Sequence, residues 1–210
     1  MKQVLLFSIL LISISTYSQE DSLTIDSTKF NTKLRSQILT MFEFDQQLRI
    51  EWGELEKEFG DSSAQVDSIK TLVDQYRKIH RDKLDSLINL NGFPTHKTIG
   101  KDGVQGLFVM VAHAKDLDFQ ELCLIYFVIE AKEGGLSWQE LAILFDKIQV
   151  EKGQPQYFST QPLETDDGSF KLYPIADEKN LDQRRVAFDM LPIKEFLDQF
   201  GVKYVPTSDF

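Results

Sequence analysis

Apolar residues fall on alternating steps of three and four through two consecutive stretches, and this spacing restricts the fold more than any other feature. In the first stretch Ile38, Met41, Leu48, Trp52, Leu55 and Phe59 form such a seam, interrupted at its third position by Asp45. In the second, Val66, Ile69, Val73, Tyr76, Leu84 and Leu87 do the same, interrupted by His80. Gly60 supplies a helix stop between them, and Asp61, Ser62 and Ser63 supply N-caps. Asn91-Gly92-Phe93-Pro94 ends the second stretch as a turn. So short a connection predicts an antiparallel helix hairpin over about 31–91.

The two interruptions carry the chemistry. A carboxylate on an inward seam costs several kcal/mol unless it is paired or hydrogen-bonded. Asp45 precedes Phe59 by about 21 Å of helix, and His80 follows Ala64 by about 24 Å, at 1.5 Å per residue. In an antiparallel hairpin both stand at nearly the same height, so Asp45 and His80 are expected to approach each other. Arg49, one turn from Asp45, is placed to join them. Such a pair serves either to hold helix register or to line a pocket as a carboxylate–imidazole couple.

The remainder reads as mainly α. Two buried central helices are expected, near 102–115 around Leu107-Phe108-Val109-Met110-Val111 and at 118–133 around the apolar run from Leu122 to Ile129. Asp118 and Glu121 have capping-box spacing, and a helix apolar all round is expected to be buried all round. Ser137 with Glu140 caps a further helix, whose inward residues are Trp138, Leu141, Phe145 and Ile148. Tyr157–Thr160 and Phe170–Tyr173 flank Asp166-Asp167-Gly168, the pattern of one small C-terminal β-hairpin. Pro192 opens a last helix, with Ile193, Phe196, Leu197 and Phe200 inward and Gly201 as its stop. The expected architecture is a helical bundle in one domain over 31–210.

Residues 1–18 differ from the rest. Lys2, the apolar run from Val4 to Ile14 and the small residues closing it have the order of a cleavable signal peptide, with cleavage near Ser18–Gln19. The run is shorter than the roughly 20 residues a span requires. Residues 19–30 read as a flexible leader. The expectation is an exported, periplasmic or secreted protein with no membrane attachment after cleavage. A net charge of −10 supplies no basic stripe for nucleic acid or anionic lipid. Cys123 is the only cysteine, so no internal disulfide is possible; its apolar neighbours mark it as a core residue.

His113 closes the second apolar run near a helix C-terminus, where it suits either a capping role or a site. His113, Asp116 and Asp118 resemble a ligand triplet, but Asp118 serves more economically as an N-cap, and no metal is expected. Gly100-Lys101-Asp102-Gly103 lacks the Gly-Lys-Ser/Thr ending of a phosphate loop. No Gly-x-Ser-x-Gly elbow and no His-Glu-x-x-His motif occur, and no cofactor is indicated.

With Gly153-Gln154-Pro155-Gln156 followed by Thr160-Gln161, the C-terminal half resembles a bacterial family known as domain of unknown function 6624. The likeness rests on the block from Asp146 to Gln161, with Gly153-Gln154-Pro155-Gln156 and Thr160-Gln161 as its most specific part. It continues in Tyr173-Pro174-Ile175, Leu181-Asp182-Gln183-Arg184-Arg185 and Leu191-Pro192. Upstream, Asp45-Gln46, Arg49, Gly92-Phe93-Pro94, His113-Ala114 and Phe119-Gln120 occur in the family's order, so the match spans roughly 35–200. The family pattern has Trp at Phe93, Arg at Lys147, Tyr-Gly at Phe158-Ser159 and Asn at His80, which implies a hydrogen-bonding role at position 80.

The resemblance names no activity. It implies that Asp45, Gln46, Arg49, His113, Gln120, Asp146, Gln156, Gln161, Arg184 and Arg185 act together on a small polar or anionic ligand. Two readings follow. In one, a pocket between the hairpin, His113 and the Gln156–Gln161 segment binds that ligand; as a cofactor-independent hydrolase it would use His113 as base or acid, oriented by Asp146 or Asp45. In the other, these residues form a buried structural network in a non-catalytic interaction module. Neither the ligand nor the oligomeric state follows from the residues.

Overall fold

A computed structural model describes residues 30–164, 170–199 and 202. Residues 1–29, which hold the expected signal peptide and nearly all of the expected leader, the turn at Asp166-Asp167-Gly168, and Phe200 and Gly201 lie outside the described residues. The chain is mainly helical, with seven α-helices and two short strands among the described residues. It divides into two compact units, with the boundary between Tyr126 and Phe127.

In the first unit, α1 (Thr32–Phe59) and α2 (Ala64–Asn91) form the expected hairpin. Asn31 caps α1 by accepting from the Leu34 N–H at 2.9 Å. Gly60 ends it with φ 81°, a conformation closed to most side chains, and Ser63 caps α2. Leu48, Ile69 and Val73 form a buried cluster with Trp52, Leu55, Leu72 and Tyr76 packed against it.

The third helix begins earlier than the sequence suggested. α3 spans His96–His113, opened by the Thr95 N–H donating to Thr98 Oγ1 at 2.9 Å. Gly100, at φ 78°, kinks it, and Asp102 restarts it by accepting from the Gly103 N–H at 2.9 Å. The glycine-rich stretch is therefore a kink inside a helix. α3 runs parallel to α1: the Asn31 N–H donates to the Thr98 carbonyl at 2.7 Å, and Arg35 pairs with Asp102. At Gly106 a Cβ would stand 3.3 Å from Phe42 Cβ, so the missing side chain is what permits the close approach.

α4 (Leu117–Lys132) corrects two expectations. Its N-cap is Asp116, which accepts from the Phe119 N–H at 3.0 Å, so Asp118 lies inside the helix. Nor is it buried all round: Leu122, Ile125, Tyr126 and Ile129 are exposed, while Phe119, Cys123 and Phe127 are buried.

In the second unit, α5 (Trp138–Glu151) has the expected Ser137–Glu140 capping box. The segment at Tyr157–Thr160 is not a strand. Instead β1 (Pro162–Glu164) pairs antiparallel with β2 (Phe170–Leu172). The loop before β1 is held by Asp146, as shown below, which leaves its backbone donors no strand partner. α6 (Leu181–Ala187) and α7 (Ile193–Asp198) close the unit around Leu181, Ile193 and Leu197. The Ile193 N–H donates to Asp182 Oδ1 at 2.7 Å, which starts α7 directly after Pro192.

Candidate functional site

Asp45 is 4% exposed, as its place on the seam requires. Its partner is a different imidazole from the one expected. His113 Nδ1 lies 2.6 Å from Asp45 Oδ2, Arg49 Nε 2.9 Å from the same oxygen, and Arg49 Nη2 3.3 Å from Oδ1. Gln46 Nε2 adds a contact at 3.2 Å. Burial pushes the Asp45 carboxyl up, but the His113 hydrogen bond and the charges of His113 and Arg49 outweigh it and hold the group well below the usual carboxylate range. An ionised carboxylate only accepts, so Nδ1 is the protonated nitrogen of His113. The parallel register of α1 and α3 makes this pair: α3's last residue falls beside the middle of α1.

His80 reaches the expected depth, at 6% exposed. Its ring stands edge-on to Phe44 at 6.0 Å and beside Tyr76 at 5.8 Å, the same level of the hairpin as Asp45. Asp45 has no hydrogen bond to it among the described residues. The equal-height estimate holds, but Phe44 takes the space facing His80 and α3 supplies the carboxylate's partner. Burial drives the His80 pKa down, Asp45 opposes that, and Lys83 adds to it. His80 Nδ1 is buried without a hydrogen-bond partner in the structure.

The helix-capping role considered for His113 falls to Gln120. This fully buried amide places Nε2 at 3.1, 3.3 and 2.5 Å from the carbonyls of Val111, Ala112 and Ala114. Its Oε1 is buried and unpartnered. Nearby, Arg81 Nε lies 2.8 Å from Asp116 Oδ2 and its guanidinium covers Phe119 at 4.8 Å. That link joins α2 to the start of α4 and was not foreseen; Arg81 beside the seam position His80 was the available signal. Burial drives the Cys123 thiol up to about 12, consistent with a core residue.

The other site residues form a second cluster, inside the second unit. Asp146 is completely buried. Oδ1 accepts from the N–H of Tyr157 at 2.6 Å and of Phe158 at 3.1 Å. Oδ2 accepts from the Thr160 N–H and the Thr160 hydroxyl, each at 3.0 Å. Burial raises its pKa, with these donors opposing. Gln156 donates to the carbonyls of Gln161 and Tyr173 at 3.3 and 3.2 Å and accepts from the Gln161 N–H at 3.0 Å. Gln161 Nε2 returns to the Ile143 carbonyl of α5 at 3.3 Å.

The two arginines serve the same loop. Arg184 donates to the carbonyls of Tyr157, Asp177 and Ala176 at 3.0, 2.8 and 2.6 Å. Arg185, fully buried, donates to the carbonyls of Leu191 and Phe158, and burial lowers its pKa to about 10. The side chains thus replace the strand ladder that the loop lacks.

No curated protein and no solved structure matches the chain. A family model matches residues 32–205, from the start of α1 past the end of α7. That span covers both clusters and most of the chain, and the protein therefore belongs to the family of unknown function DUF6624.

Proposed function

We propose that this is an exported protein that binds a small polar ligand beside His113, with the imidazole acting as general acid or base under the orientation of Asp45. The observation that carries the reading is the 2.6 Å contact from His113 Nδ1 to a carboxylate that Arg49 also neutralises. This arrangement fixes the imidazole tautomer and its orientation, as general acid–base work needs. If the ligand is turned over, hydrolysis is the reaction class, because it needs only an activated water and a proton donor. Asp146, Gln156, Gln161, Arg184 and Arg185 shape the loop of the second unit and take no chemical role in this proposal.

The test is a thermal-shift screen against metabolites and cell-wall fragments, on protein recovered from the cell envelope with its N-terminus at Gln19. A ligand at 100 times its Kd raises stability by about 2.7 kcal/mol. The expected result is a compound that stabilises the wild type and loses its effect in a folded His113→Gln variant.

A structural network is the second reading, favoured by the four contacts that satisfy Asp45. It is the correct one if no compound shifts the melting temperature while His113→Gln destabilises the fold as strongly as Asp45→Asn.

A further inference from the structure

Arg49 binds Asp45 through only one edge of its guanidinium. Nε donates to Oδ2 at 2.9 Å and Nη2 to Oδ1 at 3.3 Å. A guanidinium carries its N–H donors in a planar fork, so this side-on contact leaves the outer edge, between Nη1 and Nη2, unused. Among the described residues Arg49 has no hydrogen bond or ion pair other than those to Asp45. The side chain is 20% exposed, and none of its nitrogens is both buried and unpartnered. The two arginines of the second unit differ. Arg184 spends all three of its nitrogens on backbone carbonyls, and Arg185, whose Nη2 lacks a partner, is completely buried.

The backbone sets the free edge of Arg49 beside His113. Arg49 Nε and His113 Nδ1 meet the same oxygen of Asp45, at 2.9 and 2.6 Å. Helix α3 stops at His113 while α1 continues to Phe59, so Arg49 stands on the first turn of α1 beyond the end of α3. One turn further, a Cβ at Gly53 would meet nothing within 4 Å, so the space along this flank is open. The flanking positions Gln46, Trp52 and Gly53 add no acid, and Glu51 and Glu54 fall on the far side of α1 at about 100° per residue. At the end of α3 the carbonyls of Val111, Ala112 and Ala114 are met by the Gln120 amide, which blunts the negative end of the helix. Asp45 thus holds the guanidinium in place without filling its fork. A fixed pair of adjacent N–H donors matches two oxygens of one ligand group.

We infer that the ligand proposed above to lie beside His113 carries a carboxylate or phosphate group, and that the Nη1–Nη2 edge of Arg49 is what recognises it.

The test titrates the purified protein with sodium phosphate and with sodium acetate, each against sodium chloride at the same ionic strength. The melting temperature and the NMR signals of Arg49 Nε–H and the His113 ring are followed. A chain of net charge −10 repels anions in general, so a response beyond that to chloride reports a local site. The expected result is that one or both anions raise the melting temperature and move the Arg49 and His113 signals together. Phosphate alone would assign a phosphate ester, acetate alone a carboxylic acid. Arg49→Lys keeps a cation for Asp45 but has no second edge, and should weaken the response about 10-fold or more. Wild-type signals that neither anion moves beyond chloride overturn the inference, as does a folded Arg49→Lys variant that responds like the wild type. A neutral compound that binds beside His113 and leaves the Arg49 signal unmoved also overturns it, while the broader ligand reading stands. Shifts at Arg49 with none at His113 would sink both.

Discussion

Ser159 sits at φ 55°, in the left-handed region where a Cβ crowds the backbone. It is 1% exposed, and its hydroxyl is buried without a partner. The strain persists because Asp146 binds the N–H groups on either side, of Phe158 and Thr160, and leaves the chain no other path. The resemblance places Gly at this position, and the backbone explains why Gly suits it. Ser159→Gly is therefore expected to stabilise the fold by about 1 kcal/mol, removing both the strain and an unsatisfied hydroxyl. Urea denaturation checks it as a raised midpoint at unchanged slope; a lowered midpoint would overturn the strain reading of Ser159. Asp45 is the reverse case. Its burial was legible from spacing alone, because an inward seam position leaves a side chain no choice of face, but spacing within one helix carries no information on what lies opposite.

The contact between α1 and α3 decides what Asp45 meets. It depends on Gly106, whose absent Cβ would stand 3.3 Å from Phe42 Cβ and 3.5 Å from Leu39 Cδ2. Gly106→Val would push the helices apart against a packed core, at a cost of about 2 kcal/mol. The same displacement should break the His113–Asp45 contact, seen as loss of the downfield Nδ1 proton resonance at low temperature. Retention of that resonance at wild-type stability would show that Gly106 is not what sets the helix spacing. α4 shows where sequence pattern misleads at this scale. Eight consecutive apolar residues imply burial on every side only where neighbours pack on every side, and among the described residues they leave Leu122, Ile125, Tyr126 and Ile129 exposed.

Stability of the whole molecule should depend on pH through groups that ionise differently when folded. His80 is held below its ordinary value of 6.5, so the folded protein resists protonating it while the unfolded chain does not. That contribution is complete above 6.5 and is lost as pH falls through the depressed folded value. Asp45, also depressed, loses its contribution only below the ordinary carboxylate range, and Asp146, shifted upward by burial, works in the opposite direction. Comparing wild type with His80→Asn cancels both carboxylates. The wild type should lose more stability than the variant between about pH 7 and pH 5. Parallel pH profiles would mean that His80 titrates in the fold as it does in the unfolded chain.

The hairpin, its Gly60 stop and Ser63 cap, the depth of Asp45 and His80, and the Ser137–Glu140 box followed from the sequence because each is set by residues within one helix or one turn. The His113–Asp45 pair, the Gln120 amide that closes α3 and the loop gathered around Asp146 join residues far apart in the chain. Such contacts depend on which helices lie side by side and in which direction. Local periodicity determines which face of a helix turns inward; only the packing of several helices determines what that face meets.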